Sequence, residues 1–144
     1  MKADSKTEQA VTNVLKAWAN SYAKRDLNGF LSAFVEDEDV VLIGTGADEM
    51  RVGPAQLEIQ AKRDWAQTEA IAITFDHIAV SARGDVAWAT TDGAFEAKVG
   101  GEQMRLPARA TFVLEKRDND WRVVQAHFSS PMVDQEEGHS IPGH

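Results

Sequence analysis

MRLPARATFVLEKRDNDWRVVQAHFSSP, residues Met104 to Pro131, decides how the rest of the chain is read. Two alternating runs flank the polar turn Arg117-Asp118-Asn119-Asp120. One face carries Ala108, Ala110, Phe112 and Leu114, then Val124, Ala126 and Phe128. The other carries Arg109, Thr111, Val113 and Glu115, then Trp121, Val123, Gln125 and His127. Period-two alternation around an Asp/Asn turn predicts an antiparallel hairpin with a core face and an amphipathic outer face.

Towards the N-terminus the strand pattern continues and then gives way to helices. Val86 to Lys98 reads as a strand, joined to the hairpin through Val99-Gly100-Gly101-Glu102. Ile71, Ile73 and Phe75 alternate in the strand before it, and Arg83-Gly84-Asp85 is the turn between the two. Gly53-Pro54 opens a helix with Leu57, Ala61 and Trp65 on its apolar stripe. Val40 to Ile43 is a buried strand, and Met50 to Val52 is a short partner for it. Val11, Val14, Leu15, Trp18 and Tyr22 recur at helical spacing, which predicts a helix over residues 6 to 24. Ser5 and Glu8 have the spacing of a capping box for it. Asp26 caps a second, short helix through Phe34. The order helix, helix, strand, helix, then four strands predicts an α+β fold: a curved, mostly antiparallel sheet wrapped around three helices as a cone. Residues 1–133 are expected to form one domain and 134–144 a polar tail.

Composition narrows the function. A net charge of −8 with scattered basic residues argues against nucleic acid and anionic membrane surfaces. The chain lacks cysteine, so it has no thiol nucleophile and no thiolate metal site. MKADSKTEQAV has no apolar core of a signal peptide, and no run reaches membrane-spanning length. A cytoplasmic protein is expected, with no cofactor and no metal. His77, His139 and His144 have no metal-ligand spacing, and Glu36 to Asp39 reads as a solvated acidic turn.

Lys24-Arg25-Asp26-Leu27, Ile43-Gly44-Thr45-Gly46 with Val52-Gly53, and above all Trp121-Arg122-Val123-Val124-Gln125-Ala126-His127-Phe128-Ser129 resemble the SnoaL-like branch of the nuclear transport factor 2-like superfamily. That branch also includes the association domain of calcium/calmodulin-dependent kinase II. The resemblance implies the cystatin-like cone and a pocket inside it. It does not imply one activity, because the superfamily holds isomerases, cyclases, dehydratases, hydrolases and oligomerisation modules. By counting from the signposts, the steroid isomerases' oxyanion tyrosine falls on Trp18 and their catalytic aspartate on Leu42. The kinase domain's pocket arginines fall on Thr90, Phe112 and Phe128. Neither chemistry carries over, and the pocket these positions describe is aromatic and neutral.

The expected pocket residues are Trp18, Tyr22, Trp88, Thr90, Phe112 and Phe128. Asp92 is the candidate catalytic base. Phase with Val86, Trp88 and Thr90 turns it into the cone, where burial would raise its pKa. A bulge at Gly93 would instead leave it solvated near the mouth. Arg109, Val113, Trp121, Val123 and His127 are expected to form a homodimer interface on the outer face. Three functions follow: a domain binding a small apolar or aromatic ligand, an isomerase, dehydratase or cyclase using Asp92 on a small carbonyl compound, or an assembly module without ligand.

Overall fold

Helix α1 (Ser5–Ala23) forms because Val11, Leu15, Trp18, Ala19 and Tyr22 share one face, and that face is buried. Each fully buried Val or Leu of the stripe contributes about 1.5–3 kcal/mol relative to exposure. In the computed structural model, which describes residues 1–144, its N-cap is Asp4 rather than Ser5. The Asp4 carboxylate accepts from the Thr7 N–H at 2.8 Å, and that bond holds its pKa below the usual value. Residues 1–3 do more than lead in. Ala3 donates its N–H to the Val80 carbonyl, and Ala82 donates to Met1, so these residues cover one end of an edge strand of the sheet.

Helix α2 (Leu27–Ser32) is capped by Asp26, and α3 (Pro54–Ala66) begins with proline in its first turn. Arg25 links α1 to α3. It adopts a left-handed conformation with φ 58°, and its guanidinium donates to the Trp65 and Thr68 carbonyls. Trp65 returns the link, its Nε1–H donating to the Tyr22 carbonyl at 2.9 Å.

The strands are β1 (Val41–Ile43), β2 (Met50–Val52), β3 (Ala70–Arg83), β4 (Val86–Val99), β5 (Glu102–Arg117) and β6 (Asp120–Ser129). They form one open sheet in the order β2-β1-β6-β5-β4-β3. Only the β1–β6 pair is parallel. The expected hairpin is present: Arg117 pairs with Asp120 across Asp118 and Asn119, both at positive φ. Two left-handed residues give the turn the twist of the strands it joins. Arg117 then reaches the acidic turn, its two terminal nitrogens each 2.7 Å from an Asp37 oxygen. The guanidinium holds the Asp37 carboxyl below its usual pKa.

Two bulges set which side chains face the helices. Along β6 the register shifts opposite Val113/Leu114, so that Leu114 pairs with Val123 and Val124 is the extra residue. Beyond the bulge the alternation reverses phase. Trp121 and Val123 therefore enter the core at 8 % and 1 % exposure, which corrects their expected place on the outer interface. Backbone bonds hold this end of β6, Val123 donating to Ala33 and Val35 donating to Val123. The second bulge lies in β3 between Phe75 and His77, opposite Asp92 and Gly93. No helix is long and apolar enough to cross a membrane.

Candidate active site

Helix α3 seats itself through Leu57 and Ala61, both fully buried. The same face holds Gln60 and Asp64, one turn apart, so this face cannot be wholly apolar. A hydrogen-bonded chain joins them to their neighbours. Arg51 Nε donates to Gln60 Oε1 at 2.9 Å, and Gln60 Nε2 donates to Asp64 Oδ1 at 2.7 Å. The Tyr22 hydroxyl donates to Asp64 Oδ2 at 2.7 Å. Both oxygens of the carboxylate are thus engaged by neutral donors.

This group forms one wall of a cavity of about 210 Å³ between helices and sheet. Glu49, after β1, completes that wall with Gly44 and Thr45. Its carboxylate accepts from the Gly46 N–H at 2.9 Å and lies 3.5 Å from Arg63. The opposite walls are apolar: Trp18 and Tyr22 from α1, Phe30 from α2, Leu42 from β1, Ile71 and Ile73 from β3, and Phe95, Ala97, Leu106 and Phe128 from the later strands. The rings pack on one another. Trp18 stacks on Tyr22 with centroids 6.0 Å apart, and Phe95 meets Phe128 at 5.6 Å.

Of the expected pocket residues, Trp18, Tyr22 and Phe128 line this cavity. Phe112 faces the same way but lies beneath the cavity, packed against Trp18, Phe75 and Phe128. Trp88 and Thr90 point to the other side. The inward residues of β4 are Ala87, Ala89 and Thr91, whose partners Leu114, Phe112 and Ala110 are buried in the core.

Asp92 shares the outward phase, which corrects its expected place in the cone. Its side chain is 56 % exposed and lies 2.9 Å from His77 Nδ1. Alternation alone places it there, and the bulge beside it is in the neighbouring strand, at Phe75/His77, rather than at Gly93. Asp92, Arg109 and His127 border a shallow hollow of about 490 Å³ on the outer sheet face. Val113 lies on that face too, half-buried.

Asp64, Gln60 and Glu49 have no counterpart among the sequence expectations. The signal for two of them was present: Gln60 and Asp64 fall within the Leu57–Ala61 stripe, where polar residues need partners.

Tyr22 is the chain's single tyrosine, so its titration can be read directly. Burial, then the charge and hydrogen bond of Asp64, then Glu49, push its pKa far above the usual value of 10.0. A proton held more tightly by the native than by the unfolded chain stabilises the fold fully below the unfolded pKa. That stability is lost as pH rises above it, at up to about 1.4 kcal/mol per pH unit. The expected result is phenolate absorbance that appears only together with loss of the helical circular dichroism. Phenolate forming near pH 10 in the folded protein would contradict the burial.

The SnoaL-like domain model matches residues 11–133. Among solved structures, a nuclear transport factor 2-like superfamily protein from Salmonella enterica serovar Typhimurium is 21 % identical, with 94 % of this chain and 99 % of that chain covered and a TM-score of 0.82. A candidate dehydratase of the same family from Streptomyces avermitilis is 17 % identical, with 89 % and 99 % covered and a TM-score of 0.79. A candidate calcium/calmodulin-dependent protein kinase II association domain from Xanthomonas campestris is 22 % identical, with 85 % and 86 % covered and a TM-score of 0.75. No curated protein matches the sequence. At these identities the structures establish a fold shared with nuclear transport factor 2-like proteins, and the match over residues 11–133 establishes the family: the chain belongs to the SnoaL-like domain family.

Proposed function

We propose that the protein binds a small, mostly apolar or aromatic molecule in the cavity between its helices and sheet. The carrying observation is the cavity's composition: ten of its fifteen lining residues are hydrophobic, and the polar remainder converges on one wall. At about 210 Å³ the space is smaller than the range of about 300–1,000 Å³ for drug-sized ligands, so fragments are the right probes. Ligand-observed NMR with small aromatic amphiphiles should find binders with Kd below about 1 mM, or roughly −4 kcal/mol. Ala97→Leu, which fills the cavity from β4, should weaken them about tenfold or more. Fragment signals indifferent to Ala97→Leu in a folded variant would sink the reading.

A second reading, an enzyme, is favoured by the 2.7 Å contact between the Tyr22 phenol and Asp64. Here Asp64 takes the role of base on a small carbonyl compound, with Tyr22 as its hydrogen-bonding partner. The Streptomyces protein's name, dehydratase, is of the same class. Turnover abolished by Asp64→Asn and untouched by Asp92→Asn would separate this reading from the one built on Asp92.

The homodimer is proposed on the outer sheet face. Trp88, Val113 and Gln125 lie side by side there, with Thr90, Thr111 and His127 in the next row. Trp88 and Val113 supply the apolar centre that Trp121 and Val123, turned inward, do not. Sedimentation should give a dimer at about tens of micromolar, and a clean monomer would refute it.

A further inference from the structure

The wall of the apolar cavity carries a carboxylate without an ion-pair partner. Asp64 accepts hydrogen bonds from a phenol and an amide but takes part in no ion pair. Arg51 stands behind Gln60 and is not on the cavity wall. The wall's second charge, Glu49, is also negative. No lysine, arginine or histidine lines the space. A half-buried anion satisfied only by neutral donors favours a cation in the remaining volume, because interaction strengthens as water is excluded.

The rest of the wall suits the same occupant. Trp18, Tyr22, Phe30, Phe95 and Phe128 present aromatic rings to the space, and ring faces attract ammonium groups. Charge-assisted hydrogen bonds from an ammonium to a carboxylate exceed those from a neutral hydroxyl. The chain's net charge of −8 adds a field of the same sign. A carboxylate or phosphate ligand meets the opposite: two like charges on the wall, with Arg63, the ion-pair partner of Glu49 at 3.5 Å, lying off it.

We propose that the cavity is an ammonium site, selective for a small primary or secondary amine carried on an aromatic or alicyclic body, with Asp64 as its main counter-ion and Glu49 as the second. Burial first, and then Asp64 and Glu49, raise the pKa of the Tyr22 phenol, so it stays a neutral donor to Asp64 beside the bound ammonium. The assignment rests on the cavity being a ligand site at all, and it adds the sign of the ligand's charge.

The test uses three probes of one shape: benzylammonium, benzyl alcohol and benzoate, titrated into the full chain near pH 7. A charge-assisted bond in place of a neutral one corresponds to a preference of about tenfold or more. Benzylammonium should therefore bind at least about tenfold tighter than benzyl alcohol, with benzoate the weakest. Asp64→Asn should bring the ammonium-to-alcohol ratio close to one, and Glu49→Gln should lower it in part. Circular dichroism checks that each variant folds, and the wild-type comparison decides the matter even if neither does. Alcohol or benzoate binding as well as the ammonium overturns the amine assignment and leaves the cavity as a neutral site. A ratio unchanged in folded Asp64→Asn overturns it too. Failure of all three probes, and of the fragments in the wider NMR screen, overturns the cavity reading with it.

Discussion

Phe112→Ala is expected to cost about 3–5 kcal/mol of folding stability, measured by urea unfolding with the slope unchanged. Phe112 is 1 % exposed. Its ring sits between Trp18, at 5.9 Å and edge-on, Phe75 at 6.2 Å and Phe128 at 5.7 Å. These partners come from α1, β3 and β6, so the ring joins the helical layer to both sides of the sheet. Truncation removes the transfer free energy of the ring and leaves a hole that three separately anchored aromatics cannot close. Against a total of about 5–15 kcal/mol for a domain, such a loss puts the variant near its unfolding limit. A loss below about 1 kcal/mol would mean that the space had already been hollow.

Gly93→Ala is the second large effect, expected at about 4 kcal/mol or more although only one methyl group is added. A Cβ at Gly93 would lie 1.8 Å from the Thr74 carbonyl oxygen and 3.1 Å from the Phe75 Cα. These are backbone atoms beside the β3 bulge, so no side chain can swing away to make room. Relief requires β3 and β4 to separate at the bulge, which costs ladder hydrogen bonds and shifts the inward residues on either side. Gly84→Ala is the control. Nothing lies within 4 Å of its Cβ, and only its left-handed backbone, φ 58°, opposes the change. That strain is about 1–2 kcal/mol. Equal midpoints for the two variants would contradict the close approach at Gly93.

Much of the architecture was legible in the sequence because turn chemistry and periodicity are local. Asp118-Asn119, Gly53-Pro54 and the α1 stripe each specify their element without reference to the rest of the chain. The faces were less legible. Alternation on β4 separates Val86, Trp88, Thr90 and Asp92 from Ala87, Ala89 and Thr91, but does not say which set is inside. The expectation took the Val86, Trp88 and Thr90 set as the inner one. Packing chose the alanines: Ala87 and Ala89 are buried in the same core as Val11 and Leu15. On β6 the bulge at Val124 reversed the phase in mid-strand, and nothing in VVQAHF announces the extra residue. The site suffered from the same limit. Asp92 is a charge in a strand pattern and drew attention, whereas Asp64 and Gln60, polar residues beside an apolar helical stripe, did not. Only the tertiary placement of α3 brings Asp64 within reach of the α1 phenol.

One turn of α3 therefore has an unusual freedom. Its anchoring residues, Leu57 and Ala61, are separate from the two that face the cavity with polar groups, Gln60 and Asp64. Exchanging those two alters the chemistry of the wall while the seat of the helix and the aromatic walls stay as they are. A lineage that keeps this frame can change the charge of the wall in one or two steps without touching the apolar seat of the helix. The same separability gives an engineer a short library: two positions, one helical turn apart, whose replacements must still accept from the Tyr22 hydroxyl and Arg51.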